Sequence, residues 1–191
     1  MDAAARLEHP DSAVVGVVLA AGAGRRYGGP KVAAESGDWL RTAVGALADG
    51  GCRAVMVTLG AAVVEVPPPA TTVVVADWAE GLSASVRAGI TAARRFPAMT
   101  GVLLLPVDIP DMVASVVRRV LDRVGGDPNA LARAVFDRRR GHPVYLGGAH
   151  LDAVQQSLVG DRGAGGWLAN RSDVIAVECG DLAVGRDRDT R

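Results

Sequence analysis

Apolar positions along this chain follow two alternating rhythms. Short runs at 14–19, 54–59, 72–76 and 102–107 are apolar almost throughout, and such runs without a polar face predict parallel strands covered on both sides. Between them, 40–48, 83–95 and 112–124 repeat apolar residues at helical spacing, which predicts helices with one buried stripe. A proline run, Pro67 to Pro69, breaks the second strand from the third. Strand and helix therefore alternate, as in a parallel sheet joined by crossover helices. The second half is less regular: strands are predicted at 130–136, 143–146 and 174–177, and a helix at 149–158. The basic stretch Asp137-Arg138-Arg139-Arg140-Gly141 is expected to be a solvated turn. Residues 1–12 lack sustained periodicity and read as a frayed lead-in, and the pattern leaves the order of 180–191 open. The expectation is one domain over 1–191, a three-layer α/β/α unit with a mostly parallel sheet.

Composition refines this picture. Of 191 residues, 49% are hydrophobic and only 4% aromatic, so the core is built from Ala, Val and Leu, and small side chains let helices approach the sheet closely. Twenty-one cations balance 21 anions, which argues against a field that gathers nucleic acid or an anionic membrane surface. No apolar run reaches the roughly 18 residues of a membrane-spanning helix. The stretch 13–23 resembles the centre of a secretory signal, yet Asp2, Glu8 and Asp11 precede it with only Arg6 as a firm positive charge. Cys52 and Cys179 are far apart and outside any CxxC spacing, so a reducing, cytoplasmic setting is expected. Lys31 is the sole lysine; every other formal cation is an arginine. That makes it a candidate compact point charge.

Lys31 closes the segment Leu19-Ala20-Ala21-Gly22-Ala23-Gly24-Arg25-Arg26-Tyr27-Gly28-Gly29-Pro30-Lys31. Glycines after a strand let backbone N–H groups face a phosphate, and Arg25, Arg26 and Lys31 crowd cations beside them. A Walker loop is excluded, because Pro30 precedes the lysine and Val32 follows it. A dinucleotide fingerprint fits poorly: the spacing is GxGxxxG, and the second strand ends in Thr58-Leu59-Gly60 without a ribose-binding acid. Further on, Gly81 permits a tight turn, while Ser83 and Ser85 place hydroxyls at a helix start, where they cap the helix or contact a nucleotide. Asp108 follows the fourth apolar strand, at the mouth of the crevice where such sheets bind ligands, and suits Mg²⁺. Asp111 is expected to cap the next helix. His142, between Gly141 and Pro143, reads first as a turn residue.

These segments, in this order, resemble the signature stretches of small nucleotidyltransferases, especially the molybdenum-cofactor cytidylyl- and guanylyltransferases. The matching stretches are LAAGxGxRxGxxK from Leu19, Asp77-Trp78-Ala79-Glu80-Gly81-Leu82-Ser83-Ala84-Ser85, Asp108-Ile109-Pro110, Gly141-His142-Pro143, Gly160-Asp161-Arg162-Gly163-Ala164 and Asp187-Arg188-Asp189-Thr190. Departures are Val107 and Gly165, where the family usually has Gly and Arg, a short link at 32–39, and no Pro-Glu-Asp-Leu after Thr190. The loss of glycine at 107 is expected to narrow the approach to the phosphates. The resemblance implies a Rossmann-like nucleotidyltransferase fold and Mg²⁺-dependent transfer of a nucleotidyl group, CMP by preference, from NTP to a phosphomonoester with release of pyrophosphate. The implied acceptor is a molybdopterin-type cofactor, with a cofactor-receiving enzyme as partner. Implied roles are catalysis by Lys31, Arg25 and Asp108; nucleotide binding by Leu19, Ala20, Ala21, Gly22, Ala23, Gly24, Lys31, Gly81, Ser83 and Ser85; metal binding by Asp108, Asp187 and Asp189; and acceptor contacts by His142 and Asp161. The Ala21 methyl is expected to crowd a purine and favour CTP over GTP. Two alternatives stay open: an NAD(P)H-dependent oxidoreductase of the kind some relatives are labelled, acting on a nicotine-derived pigment, and a nucleotide-binding regulator without catalysis.

Overall fold

The computed structural model describes residues 13–188. Its centre is a seven-stranded sheet in the order β3-β2-β1-β4-β6-β5-β7. The strands are β1 (Val14–Leu19), β2 (Ala54–Leu59), β3 (Thr71–Val74), β4 (Gly101–Pro106), β5 (Leu131–Phe136), β6 (Arg139–Gly147) and β7 (Ile175–Glu178). β6 runs antiparallel to both its neighbours, β4 and β5, and the remaining pairs are parallel. Helices α1 (Asp38–Asp49) and α3 (Ala114–Val124) cover one face. The other face is covered by α2 (Leu82–Ala93), α4 (Leu151–Ser157) and α5 (Gly165–Ala169). This is the expected three-layer α/β arrangement. Among the described residues, no helix is long and apolar enough to cross a membrane.

β1 shows why its residues form a central strand: all six are buried, with Val14 and Val18 in one core layer and Val15, Val17 and Leu19 in the other. Gly89 brings α2 down onto it, since a Cβ there would lie 2.6 Å from Val17 Cγ1. Chain order reverses between β1 and β4, whose last residues pair as Leu19 and Pro106. Two loops therefore leave the sheet side by side at the position where open α/β sheets bind ligands. One carries the glycine segment and the other carries Asp108.

The structure corrects the periodicity in three places. The link after Pro30 forms a 3₁₀ turn, Lys31–Gly37, that runs into α1. The basic stretch is not a five-residue turn; Asp137 and Arg138 alone bend the chain, at φ 49° and 67°, so Arg139, Arg140 and His142 lie within β6. The short helix α5 has no counterpart in the predicted elements.

Candidate functional site

The glycine loop is fastened at both ends. At its base, buried Thr58 on β2 donates its hydroxyl to the Val18 carbonyl and accepts the Ala20 N–H, at 3.2 and 3.3 Å. In the middle, the Gly24 carbonyl accepts the N–H groups of Tyr27, Gly28 and Gly29. Only glycine suits position 24: φ is +58°, and a Cβ would sit 1.9 Å from the Gly29 carbonyl oxygen. Buried Tyr27 packs against Trp39 of α1 with ring centroids 5.3 Å apart. Neither Thr58 nor Tyr27 announces itself in the sequence, because each acts through a partner distant in the chain.

The sequence-derived loop residues fall into two groups. Leu19, Ala20 and Ala21 are buried, and the Leu19 and Ala21 carbonyls accept the N–H groups of Val107 and Ala61. The Ala21 methyl packs with Val75 and Ala84. Gly22, Arg25 and Arg26 are exposed, and Ala23 and Gly24 are half-buried.

At the end of the loop, Lys31 Nζ lies 2.6 Å from Asp108 Oδ2. Both side chains are mostly buried, at 15% and 17% exposure. The two residues singled out separately in the sequence thus form one ion pair spanning the switch point. Asp108 Oδ1 is buried with no hydrogen-bond partner, and a carboxylate oxygen left so is costly unless a cation or donor completes it. Val107 points into the core, so its side chain does not narrow the approach from the solvent side.

The tail lies against this pair. The Arg188 N–H donates to the Asp108 carbonyl at 2.9 Å, which sets Asp187 beside the site; Asp189 lies outside the described residues, as do 1–12. Asp111 holds the same segment, accepting the Val184 and Gly185 N–H groups at 2.7 and 3.0 Å. It does not cap α3, whose N-cap residue is Val113 with no side-chain cap. Among the described residues, no group of three or more His, Cys, Asp and Glu is assembled for a metal.

Across the crevice, Gly81, Ser83 and Asp161 come together at the start of α2. A Cβ at Gly81 would meet Asp161 Oδ1 at 2.3 Å, and the Ser83 N–H donates to the Gly160 carbonyl at 3.0 Å. Ser83 and Ser85 are buried, and no side chain caps α2. The Ser83 hydroxyl has no partner. Gly165 faces open space. His142 lies in β6, where burial first, and then the Arg133 charge, push its pKa down to about 4 against the pull of Asp187. It is neutral at pH 7.

Residues 16–174 match the model of the MobA-like NTP transferase domain. The nicotine blue oxidoreductase of Paenarthrobacter nicotinovorans is 32% identical over 193 residues, spanning 93% of this chain and 92% of that protein. Among solved structures, Rv0371c from Mycobacterium tuberculosis H37Rv is similar with a TM-score of 0.71 and 26% identity, covering 94% of each chain. The complex of that protein with manganese gives a TM-score of 0.67 at 25% identity, covering 92% of this chain and 93% of the other.

Proposed function

The chain belongs to the MobA-like NTP transferase family, and we propose that it transfers a nucleotidyl group, cytidylyl by preference, from a nucleoside triphosphate to a phosphomonoester such as a pterin phosphate. The observation that carries this reading is the Lys31–Asp108 pair beside a glycine loop at the sheet's switch point. An oxygen of the acceptor phosphate attacks the α-phosphorus in line, the bond from that phosphorus to the β-phosphate bridging oxygen breaks, and pyrophosphate leaves. Lys31, Arg25 and the backbone N–H groups between Gly22 and Arg26 offset the charge that gathers on the leaving group.

The residues present fit a divalent cation. Asp108 offers a hard carboxylate oxygen, Oδ1, that nothing else satisfies, and Asp187 stands nearby on the tail. The manganese complex of the mycobacterial relative supports a divalent metal, and Mg²⁺ is the ion proposed here. When bound, it supplies positive charge on the triphosphate and the departing pyrophosphate. Lys31 pairs with Oδ2 and leaves Oδ1 as the oxygen that would hold the cation, so the lysine's charge would stand beside the metal at the phosphates.

The oxidoreductase reading is favoured by the name of the Paenarthrobacter relative. Against it, a Cβ at Gly60 would lie 2.4 Å from Trp78 Cβ and 2.9 Å from the Ala21 carbonyl oxygen, leaving no space for an acid after β2 to hold a ribose. The test is pyrophosphate release from CTP with a divalent cation and a phosphomonoester acceptor, in the native protein and in Asp108→Asn. The native protein should release pyrophosphate only with metal, and the variant should lose metal-dependent CTP binding while melting as the native does. Metal-independent release, or an active Asp108→Asn, contradicts the assignment.

A further inference from the structure

Two arginines outside the machinery described so far stand on neighbouring strands of one sheet face. Arg133 on β5 is half-buried, and its Nε is buried with no hydrogen-bond partner. On the adjacent strand, Arg140 stands opposite Val135, while Arg133 stands opposite Val144, so both guanidiniums rise from the same sheet face as Leu131 and Val144. α2 lies on that face, its first turn meeting Asp161. Among the described residues, no carboxylate forms an ion pair with either arginine. Desolvation first, and then the charge of Arg140, lower the Arg133 pKa. Two like charges brought together, one partly out of water, are unfavourable unless an anion joins them.

The cluster adjoins the Lys31–Asp108 pair. β4 and β6 separate beyond Leu104 and Val144; from there β4 continues to Asp108, and β6 runs back through His142 to Arg140. The tail bridges the two, because Asp187 acts on His142 while its neighbour Arg188 is bonded to Asp108. His142, neutral, lies on β6 between Arg140 and Val144, the residue opposite Arg133, and adds a ring nitrogen without adding charge. Planar guanidinium forks suit the oxygens of a phosphate.

We propose that Arg133 and Arg140, together with His142, form the site that grips the phosphate of the acceptor and aims its oxygen at the α-phosphorus. This rests on the nucleotidyltransferase reading, and the chemistry, a phosphate dianion, has two sources there: the acceptor and the triphosphate. The site is assigned to the acceptor, because Lys31, Arg25 and the glycine loop already face the triphosphate on the other side of Asp108.

The experiment is calorimetric titration with inorganic phosphate of protein saturated with a non-hydrolysable CTP analogue and Mg²⁺, in the native protein, Arg133→Gln and Arg140→Gln. Arg140 is exposed, so its variant tests the site even should Arg133→Gln fail to fold. Phosphate should bind the native complex, and each variant should weaken it at least about tenfold, the scale of one charged hydrogen bond. Affinity for the CTP analogue should stay within about twofold, as for separate sites. Unchanged phosphate affinity in the variants, or no phosphate binding to the native complex, overturns the site. Loss of CTP affinity instead assigns the guanidiniums to the triphosphate and also overturns it. Repeating the titration on nucleotide-free Lys31→Ala protein separates the two claims: phosphate binding that still depends on Arg133 and Arg140 there supports the site even if CTP binding fails.

Discussion

At the residue scale the account turns on one ion pair. Two groups at 15% and 17% exposure gain from pairing but have paid for lost water, so the pair is weak grounds for stability and good grounds for function. Lys31→Ala should lower nucleotidyl transfer at least about tenfold, since it removes a charge aimed at developing negative charge. Lys31→Arg should not fully restore it, because a planar fork does not replace a compact ammonium. Steady-state pyrophosphate release, with melting curves as the fold control, measures both; native turnover in the alanine variant contradicts the role. His142 gives a second residue-scale prediction. Its pKa of about 4 in the fold lies below the ordinary 6.5 of a histidine, for burial and Arg133 oppose its protonation more than Asp187 favours it. Between those values the unfolded chain binds a proton that the folded chain refuses, so this contribution is full above 6.5 and is lost as pH falls toward 4. His142→Gln should therefore flatten the fall of melting temperature across that interval, and a curve parallel to the native one counts against a buried neutral imidazole.

At the element scale the glycine loop and the tail depend on contacts made far along the chain. β1 and β2 have the bounds that the apolar runs predict, because a central parallel strand is apolar on both faces and needs no partner to be recognised. Lys31–Gly37 was not legible, since KVAAESG carries no helical period and takes a 3₁₀ turn only against α1. Asp111 looks like a helix cap from Ile109-Pro110-Asp111, yet its carboxylate serves Val184 and Gly185, which local spacing cannot show. Arg133 reads as one residue of a strand, and its importance appears only when β6 brings Arg140 to the same face. Asp111→Ala removes two accepted N–H bonds and should release the tail: a limited protease should cleave near 184–188 faster than in the native protein, with a loss of activity exceeding the loss of melting temperature. Equal cleavage rates would mean that Asp111 does not hold the tail.

At the scale of the whole molecule, one sheet converts sequence distance into a site: Lys31, Asp108 and Arg188, spread along the chain, meet where β1 and β4 part. The strand and helix rhythm made the layers legible, and the order of motifs made the loop and Asp108 legible. The pairing of Lys31 with Asp108 was not, for it depends on two loops leaving adjacent strands. The central claim is that this junction binds a metal–triphosphate. The most direct measurement is the change in melting temperature with CTP, read with and without Mg²⁺ and against NADPH, because a ligand that binds only the folded state stabilises it by about 2.7 kcal/mol at a hundred times its Kd. The account predicts a rise with CTP that requires Mg²⁺, a smaller rise with GTP and none with NADPH; a rise with NADPH and none with CTP and Mg²⁺ would contradict it.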